Sequence, residues 1–233
     1  MHPLAPTVLV GAVAALGPGG PASGIDKRPI AGPWRITRLG LAGDAQGDLK
    51  HHGGPEKAIH QYPFEHYAAW KAEIGPNPLL AHAGAFGENL SGEGWTEETI
   101  CIGDVARFGG ALLQVSQGRQ PCFKLNLRFG RADMARAVQA TGRTGWYWRI
   151  LEEGEANEGD ALVIVERPYS SWPLSRLITL LYRATGDLQG LADMANLPEL
   201  ADGWRTLARR RLVSGRVEDW SKRLDGPPAD AGP

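Results

Sequence analysis

The chain has 233 residues, and its 25 Lys and Arg nearly balance 26 Asp and Glu, for a formal net charge of −1. With 42% hydrophobic residues it has material for a real core, which excludes intrinsic disorder, and its length suits one large domain or one of about 150 residues with a small appendage. The near-neutral balance argues against electrostatic binding to duplex nucleic acid or to an anionic membrane. The 31 glycines and 17 prolines far exceed the usual share of roughly 12% and follow no strict period, so they predict many turns and short strands rather than a helical bundle. Of the basic residues only six are Lys, an arginine excess that suits planar, bidentate anion recognition.

Along the chain, Val8 to Ala15 reads as a strand running into the turn Gly17-Pro18-Gly19-Gly20. It is too short to cross a membrane and has no basic stretch before it, so a soluble, cytoplasmic protein without a signal peptide is expected. Ile25–Ile30 and Trp34–Leu41 are extended candidates, and Gly43–Pro55 reads as a long polar loop. Pro63–Ile74 reads as a helix. Thr99–Phe108, Ala111–Gln117, Trp146–Leu151 and Ala161–Val165 are strand candidates, with Asp133–Ala140 as a short helix stopped by Gly142.

After Pro168 the pattern turns helical. Leu174, Leu177, Ile178 and Leu181 recur at i, i+3, i+4 and i+7, and Leu188–Asn196 and Pro198–Leu212 predict two further helices. The expected organisation is a strand-rich domain over 1–167, a three-helix domain over 168–225 and a disordered tail over 226–233. The run Arg209-Arg210-Arg211 reads as a solvated helix end rather than a nucleic-acid patch.

All six histidines fall within the first 82 residues, but none is spaced as a zinc site requires. In His52-Gly53-Gly54-Pro55 the glycines would let backbone N–H groups approach an anion, although the spacing alone describes an ordinary turn equally well. The two cysteines differ in context. Cys101, in Thr99-Ile100-Cys101-Ile102, has the setting of a buried, inert thiol. Cys122 follows a strand and lies between Arg119 and Lys124, whose charge favours a thiolate; it suits a nucleophile, a redox thiol, a soft metal ligand or a plain surface cysteine. Lys27, Arg28 and Asn89 are further anion-binding candidates, and Walker A, G-x-G-x-x-G and G-x-S-x-G signatures are absent.

Taken in order, these segments resemble the MOSC domain, the C-terminal domain of molybdenum cofactor sulfurases. They are Ser23-Gly24-Ile25-Asp26-Lys27, Gly40-Leu41-Ala42-Gly43-Asp44, His52-Gly53-Gly54-Pro55-Glu56-Lys57-Ala58, Phe86-Gly87-Glu88-Asn89-Leu90, Ile102-Gly103-Asp104, and Gln114-Val115-Ser116-Gln117 with Arg119 and Pro121-Cys122. Pro121 to Asn126, Thr144-Gly145-Trp146 and the stretch Arg209 to Gly215 with Glu218-Asp219 are similar to the YiiM-type bacterial subtype, and the likeness runs from Val8 to about Leu224.

The resemblance implies a mainly β fold, a MOSC-type β-barrel with short peripheral helices, plus a small all-α C-terminal domain. It implies a molybdenum cofactor, a phosphorylated pterin whose dithiolene holds the metal, with Cys122 as the protein's metal ligand. Cofactor binding would fall to Lys27, Arg28, Gly53, Asn89, Arg119, Cys122, Lys124 and Asn126, and catalysis to Cys122, His52 and Arg119, with His52 as proton donor because its free pKa lies near working pH. His60 and Gln61 are given no catalytic role.

The implied activity is reduction of N-hydroxylated compounds such as hydroxylaminopurine-like base analogues, a detoxifying role, with electrons from a separate flavoprotein. A monomer or homodimer without nucleic-acid or membrane partners is expected. The alternative is a cofactor or persulfide carrier that does not turn over. The pyridoxal-phosphate desulfurase domain that precedes sulfurase-type MOSC domains has no room in 233 residues, which weighs against sulfur transfer.

Overall fold

The structure is a computed structural model that describes residues 1–48 and 52–227. Its strands are β1 (Thr7–Val10), β2 (Ala14–Ala15), β3 (Ala22–Ser23), β4 (Arg28–Pro29), β5 (Trp34–Thr37), β6 (Gly40–Leu41), β7 (Ile59–Pro63), β8 (Leu90–Gly92), β9 (Val105–Phe108), β10 (Ala111–Gly118), β11 (Trp146–Glu152), β12 (Gly154–Ala156) and β13 (Val163–Glu166). Most are four residues or shorter, as a chain so punctuated by glycine and proline requires.

Eight strands form one curled sheet in the order β13-β9-β10-β11-β7-β8-β1-β4. Neighbours are antiparallel except β7 and β8, which run parallel. Register shifts of β10 against β11 between Leu112 and Leu113, and between Val115 and Gln117, add local bend and twist. β12, β5 and β6 make a second, three-stranded sheet, and β2 and β3 a short ribbon.

The expected barrel is present only as a half-barrel. β13 and β4 stand at the two ends of the sheet, and the one bridge across the gap joins the residues just ahead of β13 and β1, with Leu4 N donating to Leu162 O (2.9 Å) and Leu162 N to Leu4 O (2.8 Å). β4 cannot extend the ladder because it has two residues and Pro29 lacks an N–H.

Helices α1 (His66–Ile74), α2 (Lys124–Phe129) and α3 (Met134–Thr141) pack beside the sheet, followed by α4 (Leu174–Tyr182), α5 (Leu188–Ala195), α6 (Asp202–Ser214) and α7 (Ser221–Asp225). The four periodic residues of α4 are all buried. Leu174, Leu177 and Leu181 belong to one cluster with Trp34, Ile36, Trp146, Trp148 and Trp204, so sheet and C-terminal helices share one core. Backbone bonds cross the boundary too: Leu174 N donates to Ile100 O (3.0 Å) and Ala201 N to Ser116 O (2.8 Å). A second cluster gathers Tyr62, Tyr67, Trp70, Phe86, Phe129 and Met134 with Leu224 of α7.

Several elements differ from expectation. Residues 99–104 form a turn rather than the start of a strand, because the buried Asp104 carboxylate accepts Cys101 N (2.9 Å) and Gly103 takes φ 76°. Pro63 ends β7 instead of opening a helix, which begins at His66. Part of the predicted 43–55 loop, residues 49–51, lies outside the described residues, and Pro55–Lys57 is a short 3-10 helix. Of the predicted tail, Gly226 sits against the Phe123 ring and residues 228–233 lie outside the described residues. Among the described residues no helix is long and apolar enough to cross a membrane.

Candidate active site

The strongest pairing in the sheet, β10 with β11, ends where the candidate chemistry begins. Beyond Gly118 the ladder continues for one more bond, Arg119 N to Gly145 O at 3.0 Å, and the chain then loops through Cys122 into α2. The C-terminal segment pins that loop: Phe123 N donates to Arg223 O (2.8 Å), and the Arg223 guanidinium donates to Pro121 O. Cys122 is therefore held between the sheet end and the helical region, and it is buried.

Cys122 Sγ lies 3.7 Å from Nε2 of His52. Both line a narrow inner chamber of about 70 Å³ whose wall also carries Lys27, Lys57, Arg119 and Lys124. The chamber adjoins an outer one of about 780 Å³, and His52, Lys57, Cys122, Lys124 and Tyr147 line both. The thiol thus stands at the junction of a cation-lined chamber and a larger groove that reaches the helical region.

The cations are not equivalent. Lys27 is paired with Asp44, and its pKa is lowered by burial, which outweighs the opposing pull of that carboxylate. Asp44 is a hub: it also accepts Gly11 N (2.9 Å) and the Asn89 amide (2.9 Å). Lys124 donates to Ala22 O (2.9 Å). Burial lowers the Lys57 pKa, offset in part by Asp48 and Cys122. Arg119 is buried with Nη1 unpartnered, and Nε2 of the buried His60 is likewise unpartnered. A buried polar atom left without a partner costs about 1–3 kcal/mol unless a ligand completes it.

His52 departs from the role expected of it. Burial, then the charges of Lys124 and Arg119, lower its pKa to about 4. Near neutral pH its imidazole is uncharged, so it is not the ready proton store that a free histidine would be. His60 is held well below the ordinary range by burial, with Arg119 adding to the effect. Burial raises the pKa of Tyr147, against the opposing charge of Arg119.

Of the residues singled out in the sequence, Lys27, His52, Asn89, Arg119, Cys122 and Lys124 line the inner chamber. Asn89 is committed to structure: its amide nitrogen also donates to Leu9 O (3.2 Å), and its oxygen accepts His60 N (3.1 Å). Three others are placed elsewhere. Arg28 is exposed and pairs with Asp26 at 3.2 Å. Asn126 is buried between Leu224 O (2.7 Å) and Ala135 N (2.7 Å), where it ties α2 to α3 and α7. Gly53 does not line either chamber. Sequence reasoning missed His60, Tyr147 and Lys57 as wall residues, although Lys57 lies in the quoted His52–Ala58 motif.

Among the described residues no group of three or more His, Cys, Asp or Glu side chains converges to hold a metal.

Comparison with known proteins gives two family matches, the MOSC domain over residues 48–163 and the YiiM-like 3-alpha helix domain over residues 172–215. The chain is 39% identical to Protein YiiM of Escherichia coli (strain K12) over 209 residues, 90% of this chain and 93% of that one. The crystal structure of YiiM from Escherichia coli superposes with a TM-score of 0.82 at 32% identity, covering 96% of this chain and 99% of that one. A protein of Gibberella moniliformis named Reductase is 39% identical over 193 residues, which are 82% of this chain and 34% of that longer protein.

Proposed function

The chain belongs to the MOSC domain family, in the branch that carries the YiiM-like three-helix domain, and on that premise we propose that it is a molybdenum-cofactor-dependent reductase of N-hydroxylated compounds. The observation that carries the proposal is the Cys122 thiol at the mouth of a chamber walled by Lys57, Arg119 and Lys124, with Arg119 Nη1 and His60 Nε2 lacking partners. A phosphorylated pterin needs cations and hydrogen-bond donors, and molybdenum in a sulfur-rich shell accepts a soft thiolate. The donor set fits. The inner chamber alone, about 70 Å³, is too small for a whole pterin, so room for the group exists where the two chambers join. The relative named Reductase, 34% of which is matched, supports a reductase reading.

When bound, the cofactor supplies two-electron reduction of an N–O bond. The overall change is R–NHOH plus two electrons and two protons to R–NH2 and water. Arg119, Lys57 and Lys124 would hold the anionic portion, and Cys122 Sγ would serve as ligand. His52 Nε2 faces that sulfur as a neutral imidazole, so it passes a proton on rather than keeping one. We assign the electrons to a separate flavoprotein and the substrates to hydroxylaminopurine-like base analogues, a detoxifying role.

Purification from a host that makes molybdopterin tests the proposal. Molybdenum and pterin in stoichiometric amounts, with reduction of 6-hydroxylaminopurine to adenine under a chemical reductant, is the expected result. A cofactor-free protein that instead accepts sulfane sulfur on Cys122 would establish the carrier alternative.

A further inference from the structure

Positive charge is gathered on one part of the molecule. From Arg205 to Arg223 the chain has seven Lys and Arg against two carboxylates, a local charge of +5 in a protein whose total is −1. Both carboxylates are already engaged: Glu218 pairs with Arg211 (2.7 Å), and Asp219 accepts Ser221 N (2.8 Å) and Oγ (2.7 Å). The triplet Arg209-Arg210-Arg211 is not the evenly solvated helix end that its sequence suggests, since Arg211 is buried and Arg209 donates to Ala195 O (3.1 Å). Arg210, Arg216 and Lys222 are exposed, and among the described residues none of them is ion-paired.

A groove of about 830 Å³ lies along α6 and the residues after it, with Leu207, Arg210, Val213, Arg216 and Val217 in its wall. Val213 is 90% exposed and Val217 42%. A phosphate backbone gains nothing from two exposed valines, whereas a protein interface joins apolar contacts to arginines. The occupant that suits both features is a protein with an acidic face. The groove also adjoins the outer chamber. Gly203 and Glu218 line the groove, and their neighbours in the chain, Trp204 and Asp219, line the chamber together with Lys222 and Arg223. A protein seated in the groove therefore stands next to the space where the proposed reduction takes place.

We propose that this groove, walled by Arg210, Val213 and Arg216, is the docking surface for the acidic face of a flavin-carrying electron-transfer protein. The proposal rests on the reductase reading for what the electrons reduce, but not for whether such a protein binds. Reduction of an N–O bond consumes two electrons, and the chain has no G-x-G-x-x-G signature with which to take them from a dinucleotide itself. The partner's flavin hydroquinone is oxidised to the quinone and releases two electrons and two protons, which R–NHOH takes up in forming R–NH2 and water. Opposite charge steers the two proteins together and orients them, and the valines supply the contact that excludes water. On this proposal the three-helix region is where electrons reach the protein, instead of only a cap on the sheet.

The probe is flavodoxin, a small acidic FMN protein, titrated calorimetrically into the protein as purified. Binding to the parent is expected at about 0.02 M salt, and it should weaken about tenfold or more at about 0.3 M, where the charges are screened. Arg210→Glu, Arg216→Glu and Val213→Asp should each weaken it about tenfold, since each sets a new carboxylate against the acidic face. All three positions are exposed, so the variants should fold as the parent does. In the loaded enzyme the same variants should raise the KM for reduced flavodoxin about tenfold. Their rate with reduced methyl viologen, a small donor that needs no docking surface, should be unchanged. A parent that does not bind flavodoxin at low salt, or Arg210→Glu and Arg216→Glu variants that bind it as the parent does, would overturn the surface. Duplex DNA binding as tightly and with the same sensitivity to the variants would overturn it in favour of a nucleic-acid partner. Flavodoxin binding without N–O reduction from either donor would overturn the reductase reading and leave the surface standing.

Discussion

Cys122 Sγ and His52 Nε2 lie 3.7 Å apart, although 70 residues separate them in the chain. The thiol comes from the loop after β10 and the imidazole from the residues just before the Pro55–Lys57 turn, so the pair exists only once the sheet has curled. Burial and the neighbouring cations keep the imidazole neutral. The pair therefore meets as an uncharged ring beside a sulfur, not as the imidazolium that the ordinary histidine pKa would suggest.

The Gly103-Asp104 step does more than turn the chain. The fully buried Asp104 carboxylate accepts Arg167 Nε (2.8 Å) and Nη2 (2.6 Å), fastening β9 to the chain just before the helical region. Arg167→Met should destabilise the protein by about 3 kcal/mol, the low end for stranding a buried charge because the arginine is partly exposed. Adding Asp104→Asn should restore part of the loss. Urea unfolding of the single and double variants checks this, and a single-variant loss below about 1 kcal/mol would contradict it.

Gly145 has φ 70°, and a Cβ there would lie 2.3 Å from Gln61 O and 2.9 Å from His60 Nε2. Gly145→Ala should cost about 2–4 kcal/mol through backbone strain and displacement of β7. Thermal unfolding should show it as a drop of several degrees, and an unchanged melting temperature would show that the Thr144–Trp146 corner tolerates a side chain.

His60 titrates far below its ordinary value when folded, first because it is buried. Below about pH 6.5 the unfolded chain takes up a proton that the folded chain refuses, so stability present at neutral pH is lost as the pH falls. His60→Gln removes that contribution. Urea midpoints at pH 7.5 and 5.5 should therefore differ less in His60→Gln than in the parent, and an equal difference would show that His60 does not drive the acid sensitivity.

The legible parts of the sequence were those with one solvated face. The helical spacing of Leu174, Leu177, Ile178 and Leu181 marks α4 because its other face meets water, and the glycine stop at Gly142 marks the end of α3. β7 left no such mark. All five residues of Ile59–Pro63 are buried, His60 and Gln61 included, so apolar and polar positions cannot alternate. The same blindness hid His60 as a wall residue. Local charge near Cys122 in the chain pointed to Arg119 and Lys124, and both line its chamber. Adjacency along the chain misled for Arg28, which sits one residue past Lys27 but points to solvent, and for Asn126, whose amide is spent on backbone groups. The outer chamber was invisible because Gln117 and Trp204 meet only across the boundary between sheet and helices.

The most direct measurement is reduction of 6-hydroxylaminopurine by Cys122→Ser, with molybdenum content and melting temperature determined on the same sample. A serine hydroxyl is a much weaker acid and a hard ligand, poorly suited to a metal held by sulfur. Cys122 lies in a loop at the chamber junction, so the loss of one sulfur should cost little packing. The account predicts a rate lower by three orders of magnitude or more, a barrier rise of about 4 kcal/mol, with the melting temperature within a few degrees of the parent. Full activity in Cys122→Ser with molybdenum still bound would contradict the ligand assignment and the proposed chemistry together.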